Sequence, residues 1–192
     1  MSIFNEYREQ VHKKIYESSI ALFISQGYEK TTISEITKTV GVAKGTFYNF
    51  YQSKLEVLFD WAQNVFSQTD FEKAMIPGKT IEQNLHSFID LITDAMDASH
   101  GLFHTFLSEL LKQQETADLS AKFDFIKIYE GILKNSSDGE NVLSKDPETK
   151  VEMLNSVLFM GIINWFNTNN QNTDLAFHLK KMAALLLNGI QQ

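Results

Sequence analysis

Residues Ala21 to Phe59 read ALFISQGYEKTTISEITKTVGVAKGTFYNFYQSKLEVLF, and their pattern decides the fold. Thr32-Ile33-Ser34-Glu35 sets a hydroxyl and a carboxylate three residues apart. That is capping-box spacing, in which each side chain bonds the other residue's backbone amide. It opens a short helix ending near Val40, where Gly41 supplies a tight turn. A third short helix is predicted over about Ala43 to Tyr51, and Ser53-Lys54-Leu55-Glu56 is a second capping box opening a helix to about Thr69. Before these, a first helix is predicted from about Tyr7 to Gln26, with Val11, Ile15, Ser19, Leu22 and Phe23 as its buried stripe and Gly27 as its left-handed stop.

The packing follows from the spacing. Ile33, Ile36 and Val40 can hold the second helix on the first, and Phe47 and Tyr51, four apart, can anchor the third. Lys44, Thr46, Tyr48, Asn49 and Phe50 are then left on its outer face or ends. A helix, a glycine turn and a second helix make the helix-turn-helix plan, whose second member enters the major groove of DNA. The outward residue types suit that task. Lysine and hydroxyls bond phosphates, asparagine can bond adenine through two atoms, and an aromatic can touch a thymine methyl.

Charge is placed consistently with such a head. The net charge of the chain is −7. Residues 1–55 nevertheless hold seven Lys and Arg against five Asp and Glu, so the acidity lies in the remainder, and a mildly basic head is not repelled by DNA. The absence of cysteine excludes a disulfide framework, thiolate zinc sites and cysteine nucleophiles, and fits a reducing cytoplasm. No signal peptide is expected from MSIFNEYREQ, which lacks a basic start and an apolar run. Nor is a membrane segment expected: the longest clean apolar run, Val157 to Ile163, falls far short of the roughly 20 residues a spanning helix needs.

Beyond Thr69 the spacing stays helical. Pro77-Gly78 marks a boundary, and Thr80 to Gln83 caps a fifth helix with Ile81, Leu85, Phe88, Ile92 and Met96 on one face. Gly101 breaks it. A sixth helix carries Phe103, Phe106, Leu107 and Leu110. The seventh, from about Asp118 to Lys134, is apolar on two faces, Leu119, Phe123, Ile126 and Leu133 against Phe125, Ile128, Tyr129 and Ile132, which predicts a helix sandwiched in a bundle. Asn135 to Lys145 reads as a loop. Asp146-Pro147 then starts a long apolar helix to about Thr168, followed by a last one from Asp174 to Gly189. The fold class expected is all-α, of about nine helices: residues 1–52 as a helix-turn-helix domain and residues 53–192 as a ligand-binding and dimerisation bundle.

The segment from Ala21 to Phe59 resembles the tetracycline-repressor (TetR) family. Phe23, Gly27, Tyr28, Thr31, Thr32, Ile36, Gly41, Val42, Lys44, Gly45, Thr46, Tyr48, Ser53, Lys54 and Leu58 fit its pattern without a gap. Departures are Thr37, Val40, Phe50, Tyr51 and Leu55, with Phe50 standing where Tyr or His is common. The resemblance covers the N-terminal third. It implies that Thr32 and its helix bind a phosphate, that Ala43, Lys44, Gly45, Thr46, Tyr48, Asn49 and Phe50 lie along the major groove, that Tyr48 bonds the DNA backbone, and that Lys54 binds another phosphate. It further implies a dimer built on the last two helices. In such a dimer a small effector in the body pivots the fourth helix and respaces two heads, which must sit about 34–36 Å apart to read successive grooves.

The chain is rich in aromatics. Core packing accounts for most of them; the sharper expectation is an apolar effector pocket lined by Phe66, Met96, Phe103, Phe106, Phe123, Tyr129, Met160 and Asn164. The dimer interface is expected at Val151, Leu154, Leu158, Gly161, Ile162 and Trp165, with Leu175, Leu179, Met182, Ala183 and Leu186. His100 and His104 have metal-ligand spacing, but Gly101 lies between them and no supporting ligand motif accompanies them. No catalytic motif, metal site or cofactor is expected, and no membrane partner. The partners expected are an operator duplex, a small effector and a second copy of the chain. Two alternatives stand beside a repressor released from a palindromic operator by a hydrophobic or aromatic effector. One is an activator with the same head. The other is a helical small-molecule- or metal-binding protein whose helix-turn-helix is incidental.

Overall fold

The computed structural model describes residues 3–113, 125–139, 146–168 and 174–190. Among them every regular element is helical. The α-helices are α1 (Ile3–Gln26), α2 (Ile33–Val40), α3 (Lys44–Tyr48), α4 (Lys54–Gln68), α5 (Ile81–Asp97), α6 (Leu102–Gln113), α7 (Ile126–Asn135), α8 (Pro147–Asn167) and α9 (Leu175–Ile190), with a 3-10 turn at Phe71–Ala74. None is long and apolar enough to cross a membrane.

The chain divides into two compact units. One comprises Met1–Asn64 with Ser99–Glu109, the other Val65–Ala98 with Leu110–Gln192. The first unit therefore takes in most of α4 and α6, well past the boundary at residue 52 that the sequence suggests. Its core joins Val11, Ile15 and Phe23 of α1 to Ile36, Phe47, Tyr51, Leu58, Phe103 and Phe106. Ser19 is fully buried in the α1 stripe, and its hydroxyl donates to the Ile15 carbonyl at 2.7 Å, so burial leaves no polar group unsatisfied.

Local signals place the short helices. Gly27 ends α1 at φ 91°, a conformation that L side chains resist. At α2 the Glu35 amide donates to the Thr32 hydroxyl (3.2 Å) and the Thr32 amide to the Glu35 carboxylate (2.8 Å). Gly41, at φ 77°, closes α2 in a Schellman motif: its amide bonds the Lys38 carbonyl and the Val42 amide the Thr37 carbonyl. Helix α3 is shorter than the sequence suggests. The amides of Phe50 and Tyr51 both reach the Phe47 carbonyl at 3.0 Å, a tightening that ends the helix before Ser53 caps the next. Glu56 of that second cap bonds the Gln52 amide (2.6 Å).

In the second unit α5, α7, α8, α9 and the 3-10 turn share one apolar cluster, from Phe71 and Phe88 through Tyr129 and Leu133 to Leu158 and Leu179. Buried Asn84 pins the segment before α5: its side chain both donates to and accepts from the Ile76 backbone and donates to the Ser136 hydroxyl at 3.0 Å. Asp138 accepts from the Ile81 amide (2.8 Å), completing that end of α5. Helix α7 buries Tyr129, Ile132 and Leu133, with Phe125 and Ile128 packed against the same cluster, and leaves Ile126 exposed, so both expected faces are used near its C-terminal end and only one near its start. The expected members Leu119 and Phe123 lie outside the described residues.

Candidate nucleic-acid interface

The outer face of α3 is held in place from behind. Phe47 is 0 % exposed, with its ring 5.8 Å from that of Tyr51, which is buried too. The Tyr51 hydroxyl donates to the Asp60 carboxylate of α4 at 2.5 Å. Asp60 also accepts from Asn64 (3.3 Å) and faces His12 of α1 at 3.9 Å. Burial, reinforced by the Asp60 charge, pushes the Tyr51 phenol far above its ordinary pKa, so it stays a donor. Three elements thus converge on one carboxylate behind the reading helix. Sequence reasoning placed Tyr51 inward but missed Asp60 and His12; the i, i+4 pair Asp60 and Asn64 on α4 was the one available signal.

With Phe47 inward, Ala43, Lys44, Gly45, Tyr48 and Asn49 are exposed and Thr46 is half-buried. Tyr48 is 49 % exposed although its ring lies 5.7 Å from Phe47. A side chain at Gly45 would meet nothing within 4 Å, so the protein's own packing does not require glycine there, and the bare backbone is open to an outside surface. All seven expected residues are therefore exposed or half-buried. Phe50 lies 5.1 Å from the His12 ring and beneath the Arg8 guanidinium at 5.7 Å, so its half-buried ring packs on α1.

Lys54, expected at a phosphate, is engaged within the chain. Its ammonium donates to the carbonyls of Tyr28 (2.6 Å) and Thr31 (2.7 Å) and lies 4.2 Å over the Tyr28 ring. Burial draws the ammonium below its ordinary pKa, against the opposite pull of Glu29, Glu109 and Glu35. The side chain ties α4 to the turn between α1 and α2. Thr32 is exposed at the start of α2, but its amide and hydroxyl both bond Glu35, and those bonds hold the Glu35 carboxyl below its usual pKa. A phosphate arriving there has to displace that carboxylate.

The expected effector residues are divided between the two units. Phe103 and Phe106 are core residues of the first unit, edge-on to Trp61 (5.7 Å) and Phe59 (5.0 Å). In the second unit Phe66 lies 5.3 Å from Phe125, Met96 packs on the apolar cluster, and Tyr129 lies 5.2 Å from Phe88. Burial alone pushes the Tyr129 phenol up. Met160 and Asn164 are exposed on α8 and line no interior, because their helical positions put them opposite Leu154 and Leu158. Phe123 lies outside the described residues.

The expected dimer contacts divide by their burial in the single chain. Val151, Leu154, Leu158, Gly161, Leu179 and Ala183 are buried within one chain, where α8 packs on α9. A Cβ at Gly161 would stand 2.8 Å from Leu179 and 2.9 Å from Met182, so glycine permits that intramolecular approach. Ile162, Trp165, Leu175, Met182 and Leu186 are half-buried beside it. The apolar groups left on the surface of these helices are Met153, Met160 (48 % exposed), Phe177 (64 %) and Leu185 (65 %). His100 stands before α6 at φ 52°, so it and His104 do not share a helix face. Among the described residues no group of three potential metal ligands occurs.

Residues 15–61 match the family profile described as bacterial regulatory proteins, tetR family. The chain is 22% identical over 182 residues to the HTH-type transcriptional repressor KstR of Rhodococcus jostii, covering 94% of this chain and 84% of that protein. It is 22% identical over 187 residues to the fatty acid metabolism regulator protein of Bacillus subtilis, covering 93% and 95%. Among solved structures, Thermus thermophilus FadR, a TetR family transcriptional repressor in complex with lauroyl-CoA, matches with a TM-score of 0.76 at 25% identity, over 93% of this chain and 94% of that one.

Proposed function

The chain belongs to the TetR family of bacterial transcriptional regulators, and from that premise we propose that it is a homodimeric repressor that binds a two-fold symmetric operator and leaves it when an acyl-CoA binds. Residues 1–52 do the reading, and residues 53–192 take the effector and the partner. The observation that carries the reading is the outer face of α3, where Lys44, Thr46, Tyr48 and Asn49 stand outward on a helix fixed from behind by Phe47 and Tyr51. Thr46 and Tyr48 suit backbone contacts and Asn49 suits a base edge.

Two supports bear on the effector and the partner. The second unit holds a cluster of rings, Phe66, Phe71, Phe88, Phe125 and Tyr129, of the apolar kind a fatty chain requires. The similar Thermus repressor was solved with lauroyl-CoA. The partner copy is assigned to the exposed side of α8 and α9, at Met153, Met160, Phe177 and Leu185, since an exposed apolar face of this kind marks an interaction surface. The protein acts as a binding protein, without catalysis, in the cytoplasm where its operator lies.

Selection from a random duplex library tests the reading. Successive rounds with the full-length protein are expected to enrich a palindrome with half-sites one helical turn apart. Lauroyl-CoA is expected to elute the retained DNA where CoA alone does not. A library that stays unenriched overturns the proposal.

A further inference from the structure

An open cleft of about 610 Å³ lies between the start of α1 and the outer side of α3. Tyr7, Arg8 and Val11 form one wall, and Thr46, Asn49 and Phe50 the other. Arg8 and Val11 are one helical turn apart, as are Thr46 and Asn49, so the walls are two neighbouring rungs of side chains. A second hollow, of about 390 Å³, shares Arg8 and Phe50 and is lined also by Asn5, Glu9 and His12. The two differ in charge. The smaller one contains a carboxylate, whereas the larger contains the Arg8 cation, hydroxyls and a side-chain amide with no carboxylate.

Arg8 is exposed, and among the described residues its guanidinium has no ion-pair partner. It lies 5.7 Å from the centroid of the Phe50 ring. A guanidinium held over an aromatic ring keeps planar N–H donors for an oxyanion while losing less rotamer freedom on binding. The same cleft holds Thr46 and Asn49, two of the residues through which α3 would meet DNA. A duplex whose major groove receives α3 carries its sugar–phosphate strand past the flank of that helix, and phosphates take much of protein–DNA hydrogen bonding.

We propose that this cleft seats the operator backbone, with Arg8 donating to a phosphate oxygen, Phe50 as the platform that aims it, and Tyr7 and Thr46 supplying hydroxyls beside it. The inference rests on the DNA-binding reading and extends it from α3 to α1. It also gives Phe50 a use: packed on α1, its ring can hold the arginine that grips the strand.

The test is fluorescence anisotropy of full-length protein on two labelled duplexes, the selected palindrome and a mixed-sequence control, across a KCl series. Arg8→Ala is expected to weaken binding to both duplexes by the same factor and to lower the slope of log K against log salt by about 1.8 for the dimer, one phosphate contact per protomer. Arg8→Lys is expected to keep the slope, and the thermal midpoint of Arg8→Ala to match wild type. An unchanged slope for Arg8→Ala with wild-type binding intact overturns the Arg8 site alone. A wild-type protein that binds neither duplex overturns the DNA reading and this site together.

Discussion

The ammonium of Lys54 donates to the carbonyl oxygen of Tyr28 at 2.6 Å and lies 4.2 Å over the ring of the same residue. A second bond, to Thr31 at 2.7 Å, closes the clamp. Lys54→Met is expected to cost about 1–2 kcal/mol of stability, since it removes two charge-assisted bonds from carbonyls that water can partly reach. Denaturant unfolding measures that cost. The salt slope of DNA binding should stay at the wild-type value; a slope lower by about 1.8 for the dimer would return Lys54 to a phosphate.

The capping box on α2 makes a pH-dependent contribution. Glu35 has its folded pKa depressed by bonds from the Thr32 amide and hydroxyl. Its stabilisation is therefore present above the ordinary glutamate range and is lost as pH falls through the depressed value. Thermal midpoints of Glu35→Gln should converge on wild type in that acidic window and fall below it at neutral pH. Thr32→Ala should cost about 1 kcal/mol at neutral pH.

Tyr48 and Asn49 are neighbours with different roles. Tyr48→Phe is expected to weaken binding to all duplexes alike, because a backbone contact carries no sequence information. Asn49→Ala is expected to broaden the preference at one operator position, as loss of a base-edge contact does. Selection repeated with each variant separates them. An unchanged base preference for Asn49→Ala removes that residue from direct readout.

The last two helices present two faces that answer to different mutations. Phe177→Glu combined with Met160→Lys should yield a folded monomer by light scattering, because both side chains are exposed in the single chain. Leu158→Ala, by contrast, should destabilise the protomer by about 2–5 kcal/mol, as removal of a buried leucine does. A double variant that stays dimeric places the interface elsewhere.

Much of the fold was legible because its signals are local. Thr32 with Glu35, Thr80 with Gln83, Gly27 and Gly41 each act within one helical turn, and they set the starts and stops that the structure shows. Periodicity identified apolar faces correctly but could not say against what they pack. Val151, Leu154 and Leu158 read as an interface stripe, yet the buried stripe of one chain and the seam between two chains have the same spacing. The partner-dependent residues escaped for a related reason. Nothing in the sequence near Phe50 reveals that Arg8 and His12 lie beside it, and Lys54 could be recognised as a clamp only once the carbonyls of Tyr28 and Thr31 were in place.

The most direct test of the central claim is a titration of the full-length protein onto the selected duplex, followed by anisotropy at increasing KCl and then with lauroyl-CoA. Saturation is expected at two protomers per palindrome, with affinity that falls steeply with salt and release by lauroyl-CoA but not by CoA. A protein free of acyl-CoA that fails to bind any duplex at low salt would contradict that claim.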